Sequence, residues 1–190
     1  MADPEAFQRI LSAHTLYTQL RYEYWLAYEA YTGLWWFLLS CWLLPWVLWW
    51  SIVDRKRIVE ISFYGLVVMF VTTILNAVGS VQNLWTYTVK IIPFTPHLEA
   101  IDWSILPITY MMVYQYNASW KGFITVQTLI ALLYSFVGEP FTIYIIKTYL
   151  PLNWSYIYSL PIYLILAIIP RLITKYLFNL EQCCKKKESS

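Results

Sequence analysis

Long apolar stretches with few charges constrain this chain more than any other feature, because about 20 apolar residues make a helix long enough to cross a bilayer core of about 30 Å. Five such stretches are read, at 34–53, 58–81, 96–116, 122–146 and 156–175, the third with its polar residues gathered at its start. They are continuously apolar and lack the alternation of a membrane barrel. In lipid, where backbone groups must be satisfied internally, that leaves helices. The predicted fold is all-α, a polytopic membrane helical bundle of about five transmembrane helices. Residues 1–32 form an amphipathic interfacial helix ahead of it, 33–178 the transmembrane domain and 179–190 a basic cytoplasmic tail.

Composition supports this. Of 190 residues, 59% are hydrophobic and only 13% charged, and the mean hydropathy is +0.51. A soluble domain of that size could not hide so much apolar surface. The 11 Trp and 17 Tyr suit interfacial belts. A net charge of +2 does not point to nucleic acid, so the expected partners are the lipid bilayer and either a membrane-protein partner or a second copy of the chain. Cys41 in an apolar run and the adjacent Cys183 and Cys184 form neither a metal spacing nor a disulfide framework, and no cofactor is implied.

Ahead of the first span, Asp3 reads as an N-cap, Pro4 as the first helical residue, and Phe7, Ile10, Leu11, His14 and Tyr17 as one stripe lying along the membrane surface. His14 on that stripe reads as a packed or interfacial residue. No cleavable signal peptide is expected, since the first apolar run begins near Leu34 behind a polar segment. Orientation follows from Lys and Arg. Four (Arg9, Arg21, Lys90 and Lys147) fall on one side of five spans. Nine (Arg55, Lys56, Arg57, Lys121, Arg171, Lys175, Lys185, Lys186 and Lys187) fall on the other. The second set should face the cytoplasm, placing the N-terminus outside and Cys183 and Cys184 in a reducing compartment.

Polar groups inside a membrane are costly, which makes each a functional candidate. At 1.5 Å per residue from the cytoplasmic ends, Asn76 lies about 27 Å along the second span and Glu139 about 25 Å along the fourth. The third span begins on that same side with His97, Glu99 and Asp102. These five form a candidate polar cluster. Glu139 stands out because Pro140 opens the helix beside it, which suits either a proton carrier or a structural acid paired with a donor such as Asn76 or His97. Glu60 should pair with the Arg55–Arg57 cluster, and Arg171 should snorkel to the cytoplasmic boundary. Trp35, Trp42, Trp46 and Trp49 share a stripe of the first span, a candidate aromatic wall for a flat or cationic ligand and equally a packing and anchoring face.

The chain contains no GxxxxGK, GxGxxG, HExxH, GxSxG or CxxC, so nucleotide, dinucleotide, zinc and familiar hydrolase chemistries lack support, and no GxxxG packing motif is present. Three functional readings remain. The first is a non-enzymatic structural or accessory membrane component. The second is a small channel, carrier or transporter subunit with a polar path near Asn76, Asp102 and Glu139. The third is an intramembrane acid catalyst on a lipid or isoprenoid, with Glu139 or Asp102 as proton donor.

The string WWFLLSCWLLPWVLWWSIVDRKR at 35–57 is followed by Glu60, then by IDWSILPITYMMVYQY (101–116), WKGF (120–123), SFVGEPF (135–141) and WSYIYSLPIY (154–163). This ordered set resembles an uncharacterised family of small multi-pass membrane proteins from endospore-forming Bacillota, over roughly residues 30–175. The resemblance implies a bacterial multi-pass membrane protein. The family has no assigned biochemical activity, so it contributes no catalytic residue.

Overall fold

The structure, a computed structural model, describes residues 3–188, with side chains through Cys184. The ends of the predicted terminal regions and the side chains of Lys185 to Lys187 lie outside the described residues. The fold is an all-α helical bundle. Asp3 caps α1 (Pro4–Tyr24), its Oδ1 accepting from Glu5 N at 3.0 Å, with Pro4 where its missing N–H costs nothing. A π-helical turn (Trp25–Glu29) extends α1. Thr32 then caps α2 (Gly33–Ile52), and a basic turn (Arg55–Arg57) leads into α3 (Ile58–Val81).

α4 (Leu106–Tyr116) follows a π-helical turn at Ile101–Ile105. α5 (Trp120–Leu133) continues through two more, Tyr134–Gly138 and Phe141–Ile145, which flank Glu139 and Pro140. A proline cannot donate into the helix ladder, and widened turns of this kind absorb the break. α6 (Tyr156–Glu188) completes the bundle and runs as helix through most of the predicted tail. Two short strands, β1 (Trp85–Tyr87) and β2 (Tyr149–Pro151), pair antiparallel with Thr86 opposite Leu150.

Among the described residues four helical stretches are long and apolar enough to cross a membrane: Gly33–Ile52, Arg55–Val81, Trp120–Ile145 and Tyr156–Cys184. The predicted third span is the exception. Pro96, His97 and Leu98 lie in a loop, and the helical stretch 99–116 that follows, at 1.5 Å per residue, spans about 27 Å, a little short of the bilayer core. It is instead the innermost helix, with Leu106, Tyr110, Met111 and Tyr114 almost wholly buried. Its last turn lies beside the basic turn, where Gln115 Oε1 accepts from Asp54 N at 3.0 Å and Gln115 O from Arg57. Its first turn lies beside the 84–98 loop. A short helix sheathed by longer ones need not match the bilayer itself.

The core follows α4. α3 packs against both α4 and α6, the Tyr64 and Tyr114 rings stack at 4.4 Å, and Ile61, Val68, Phe123, Leu166 and Ala167 fill in around them. α2 contributes Trp49 and Val53 to that core and exposes Leu43, Leu44, Val47 and Leu48, a face for lipid rather than protein.

α1 has no buried residue. The Phe7, Ile10, Leu11 and Tyr17 stripe is exposed as an interfacial helix requires, but Leu16 and Leu20 are exposed on the opposite side, so the amphipathicity is weaker than the stripe suggests. The end of α1 is held by Arg21, whose guanidinium pairs with Glu29, and by Trp25 Nε1, which donates to Lys90 O at 2.9 Å.

Candidate functional site

The polar residues of the buried spans sort into two groups according to which wall they stand on. α3 presents Thr72, Asn76 and Gly79 on one face, at a spacing that helix geometry brings into line. The π-helical turn before α4 presents Asp102, the widened turns after α5 flank Glu139, and α6 presents Ser159 and Tyr163. These, with β1 and β2 closing one end, line a single cavity of about 450 Å³. Its remaining wall is mostly apolar, including Leu38, Ile105, Leu106 and Leu166.

Hydrogen bonds fix the polar groups. Asn76 Oδ1 accepts from Tyr87 OH at 2.7 Å and Trp85 Nε1 at 3.1 Å, while its Nδ2 donates to Thr72 O at 3.1 Å. Asn76 therefore ties the C-terminal part of α3 to β1. Gly79, one turn on, makes room for this, since a Cβ there would stand 2.2 Å from the Trp85 ring. Glu139 Oε1 accepts from Tyr163 OH at 3.0 Å, and its Oε2 is buried with no hydrogen bond among the described residues. Asp102 Oδ2 accepts from Leu98 N at 3.0 Å, which caps the start of the helical stretch 99–116. Burial pushes the phenols of Tyr87 and Tyr149, in the two strands, above their ordinary value, so both remain protonated donors.

Of the five residues proposed as a polar cluster, Asn76, Asp102 and Glu139 stand on this cavity wall, and His97 and Glu99 do not. His97 is buried with its ring 4.3 Å from that of Trp103. Glu99 turns into the 92–95 loop, where its Oε1 accepts from Thr95 OH and from Ile92 N at 3.3 Å. His97 lies in the loop and Glu99 in the first turn of the helical stretch, turned back toward that loop, which separates both from Asp102 although all three are close in sequence.

The tryptophan wall also faces protein. Trp35 Nε1 donates to Ile91 O at 3.2 Å, Trp46 Nε1 to Trp103 O at 3.0 Å, and the Trp42 and Trp103 rings lie 6.1 Å apart. Trp49 is 5% exposed within the core. None of the four lines the cavity; the neighbours of that helix that do are Phe37, Leu38 and Cys41. The bond to Trp103 O has a local cause, because Pro107 has no N–H to reach that carbonyl and the Trp46 indole takes it instead.

Sequence reasoning missed Trp85, Tyr87, Tyr149, Trp154, Ser159 and Tyr163 as lining residues. In a chain with 37 Trp, Tyr and Phe residues, nothing marks the aromatic ones apart; a strand pairing between segments about 60 residues distant in sequence selects Trp85, Tyr87 and Tyr149, and the packing of α6 selects Ser159 and Tyr163. Among the described residues no group of three His, Cys, Asp or Glu side chains could hold a metal ion. No family model, curated protein or solved structure matches this chain, which is on its own evidence an integral membrane protein with an all-α helical-bundle fold.

Proposed function

We propose that the protein binds a small, largely apolar molecule drawn from the membrane, which presents an amine or hydroxyl to Asp102 and Glu139. One observation carries this reading: three polar side chains from three different helices stand on the wall of a single, mainly apolar cavity of about 450 Å³. That volume falls within the range of small-molecule sites, which combine apolar walls with a few placed polar groups. The binding reading goes further than a structural or accessory role. A through-going channel has less support, because the cavity shares no lining residue with the cavity at the basic end. Acid catalysis on the bound molecule is a second reading, favoured by the buried, unpaired Oε2 of Glu139.

The test uses decylamine, decanol and decanoate as probes on protein in phosphatidylcholine nanodiscs, read by quenching or shift of tryptophan fluorescence, since Trp85 and Trp154 line the cavity. The amine and the alcohol should bind saturably and decanoate should not. Asp102→Asn with Glu139→Gln should weaken the amine by on the order of tenfold or more, the value of losing a charge-assisted hydrogen bond. Equal affinity of wild type and double variant for the amine would sink the proposal.

The cell membrane of a bacterium, as the family resemblance implies, is the setting of this proposal. The N-terminus is outside and the basic end, which carries Arg55 to Arg57, Lys121, Arg171 and Lys175, is in the cytoplasm. Cys183 and Cys184 are free and exposed on α6 beyond that end. A membrane-impermeant thiol reagent should therefore label them only after cells are permeabilised, and labelling in intact cells would reverse the orientation.

A further inference from the structure

At the opposite end of the bundle from the two strands lies a second cavity, of about 290 Å³. From this cavity we infer a binding site for a phosphate group, carried either by an anionic membrane lipid or by a soluble phosphate. The inference is independent of the reading of the larger cavity.

Arg171, Lys175, Phe178 and Gln182 recur every three or four residues and so share one face of α6. Facing them are Arg57 from the basic turn, Glu60 from the start of α3, Tyr114 from the end of α4 and Ala118 just beyond it. Asn179 and Gln182 are exposed at the mouth. Arg171 does not snorkel to the boundary as its sequence position suggested. It is 1% exposed, with its guanidinium carbon 4.0 Å from the Phe123 ring centroid and 4.6 Å from that of Trp120. Its Nη2 donates to Ala118 O at 2.8 Å, while Nε and Nη1 are buried with no acceptor among the described residues. Aromatic faces stabilise a cation through their quadrupole but leave these N–H groups unsatisfied.

The carboxylate in this cavity is already committed. Glu60 accepts from Arg57 Nε at 3.1 Å and Nη2 at 3.2 Å, and also from Tyr114 OH. Arg171 and Lys175 have no ion pair among the described residues. Three cations against one carboxylate leave two positive charges in excess, one of them fully buried. A buried charge with donors to spare is costly unless an anion completes it. A phosphate suits the site because its oxygens can accept from a guanidinium and an ammonium together. Basic pockets between membrane helices hold lipid headgroups in this way.

The test compares wild type, Lys175→Gln, Arg171→Gln and Lys121→Gln in phosphatidylcholine nanodiscs. Retained phosphatidylglycerol is read by native mass spectrometry and added inorganic phosphate by thermal shift. Lys121 is exposed at the same end of the bundle but outside the cavity. Wild type should retain phosphatidylglycerol above the phosphatidylcholine background. Lys175→Gln should weaken it by about fivefold, the value of one surface cation, Arg171→Gln by on the order of tenfold or more, and Lys121→Gln should bind as wild type does. Stabilisation by inorganic phosphate with no lipid preference supports the site with a soluble ligand; retention of lipid alone supports it with a headgroup. The inference is overturned if wild type responds to neither probe. It is overturned equally if Lys121→Gln weakens binding as much as Lys175→Gln, because diffuse surface charge would then explain the affinity. Lys175→Gln keeps the test decisive should Arg171→Gln fail to fold.

Discussion

Glu29→Ala is expected to cost about 3–5 kcal/mol of stability, the penalty for breaking a buried ion pair from one side. Glu29 is 1% exposed and Arg21 12%. Glu29 Oε2 accepts from Arg21 Nη2 at 2.7 Å and from the Lys90 backbone N–H at 2.8 Å, and its Oε1 accepts from Arg21 Nη1. Alanine would strand a guanidinium and a buried backbone donor together. Lys90 adds to the strain, since burial first and the Arg21 charge second already pull its amine below the ordinary value. Thermal or urea unfolding in detergent, followed by tryptophan fluorescence, gives the number. Proteolysis should cut between α1 and α2 sooner in the variant, because the Arg21–Glu29 pair and the Trp25 bond to Lys90 O hold the end of α1 to the 90–94 loop. The double variant Arg21→Ala/Glu29→Ala should recover part of the loss, as the stranded charge is gone. A cost under about 1 kcal/mol for Glu29→Ala would mean that the pair behaves as a solvated surface bridge.

Asn76→Ala should produce the next largest loss, about 2–4 kcal/mol, from two partly buried donors left without an acceptor at roughly 1–2 kcal/mol each. Those donors are Trp85 Nε1 and Tyr87 OH, both from β1. The effect should therefore be local to the strand pair, with faster amide exchange at 85–87 and 149–151 while α4 stays protected. Trp85→Phe removes one of the two bonds and should cost less. Combining the two substitutions should give a total below their sum, because both delete the same contact. Full additivity would show that the Trp85–Asn76 bond does not hold the strand and would leave Tyr87 OH as its anchor to Asn76.

Several features were legible without coordinates, each because its cause is local. Uncharged apolar runs have one low-energy form in lipid, so α3 occupies 58–81 as read, and α2 and the stretch Trp120–Ile145 shift by only a residue or two. Asp3 and Pro4 specify the start of α1 through capping and a missing N–H. Arg57 and Glu60, three residues apart on a helix, pair because that spacing places them side by side. Matched depths on neighbouring spans put Asn76, Asp102 and Glu139 at one level, and the structure brings all three to one wall.

What tertiary structure alone decided concerns direction and distant partners. Depth along a helix does not say which way a side chain turns, so His97 and Glu99 could not be told from Asp102 by sequence; the loop at 92–98 sends them elsewhere. Apolarity does not distinguish a lipid-facing span from a sheathed one, and the helix at 99–116 can be short because longer helices surround it. Arg171 at a span boundary reads as a snorkelling residue until α3, α4 and α5 close over it. The pairing of β1 with β2 joins segments about 60 residues apart whose three-residue strands carry no local signal, since their hydrogen bonds exist only once the bundle has brought the loops together.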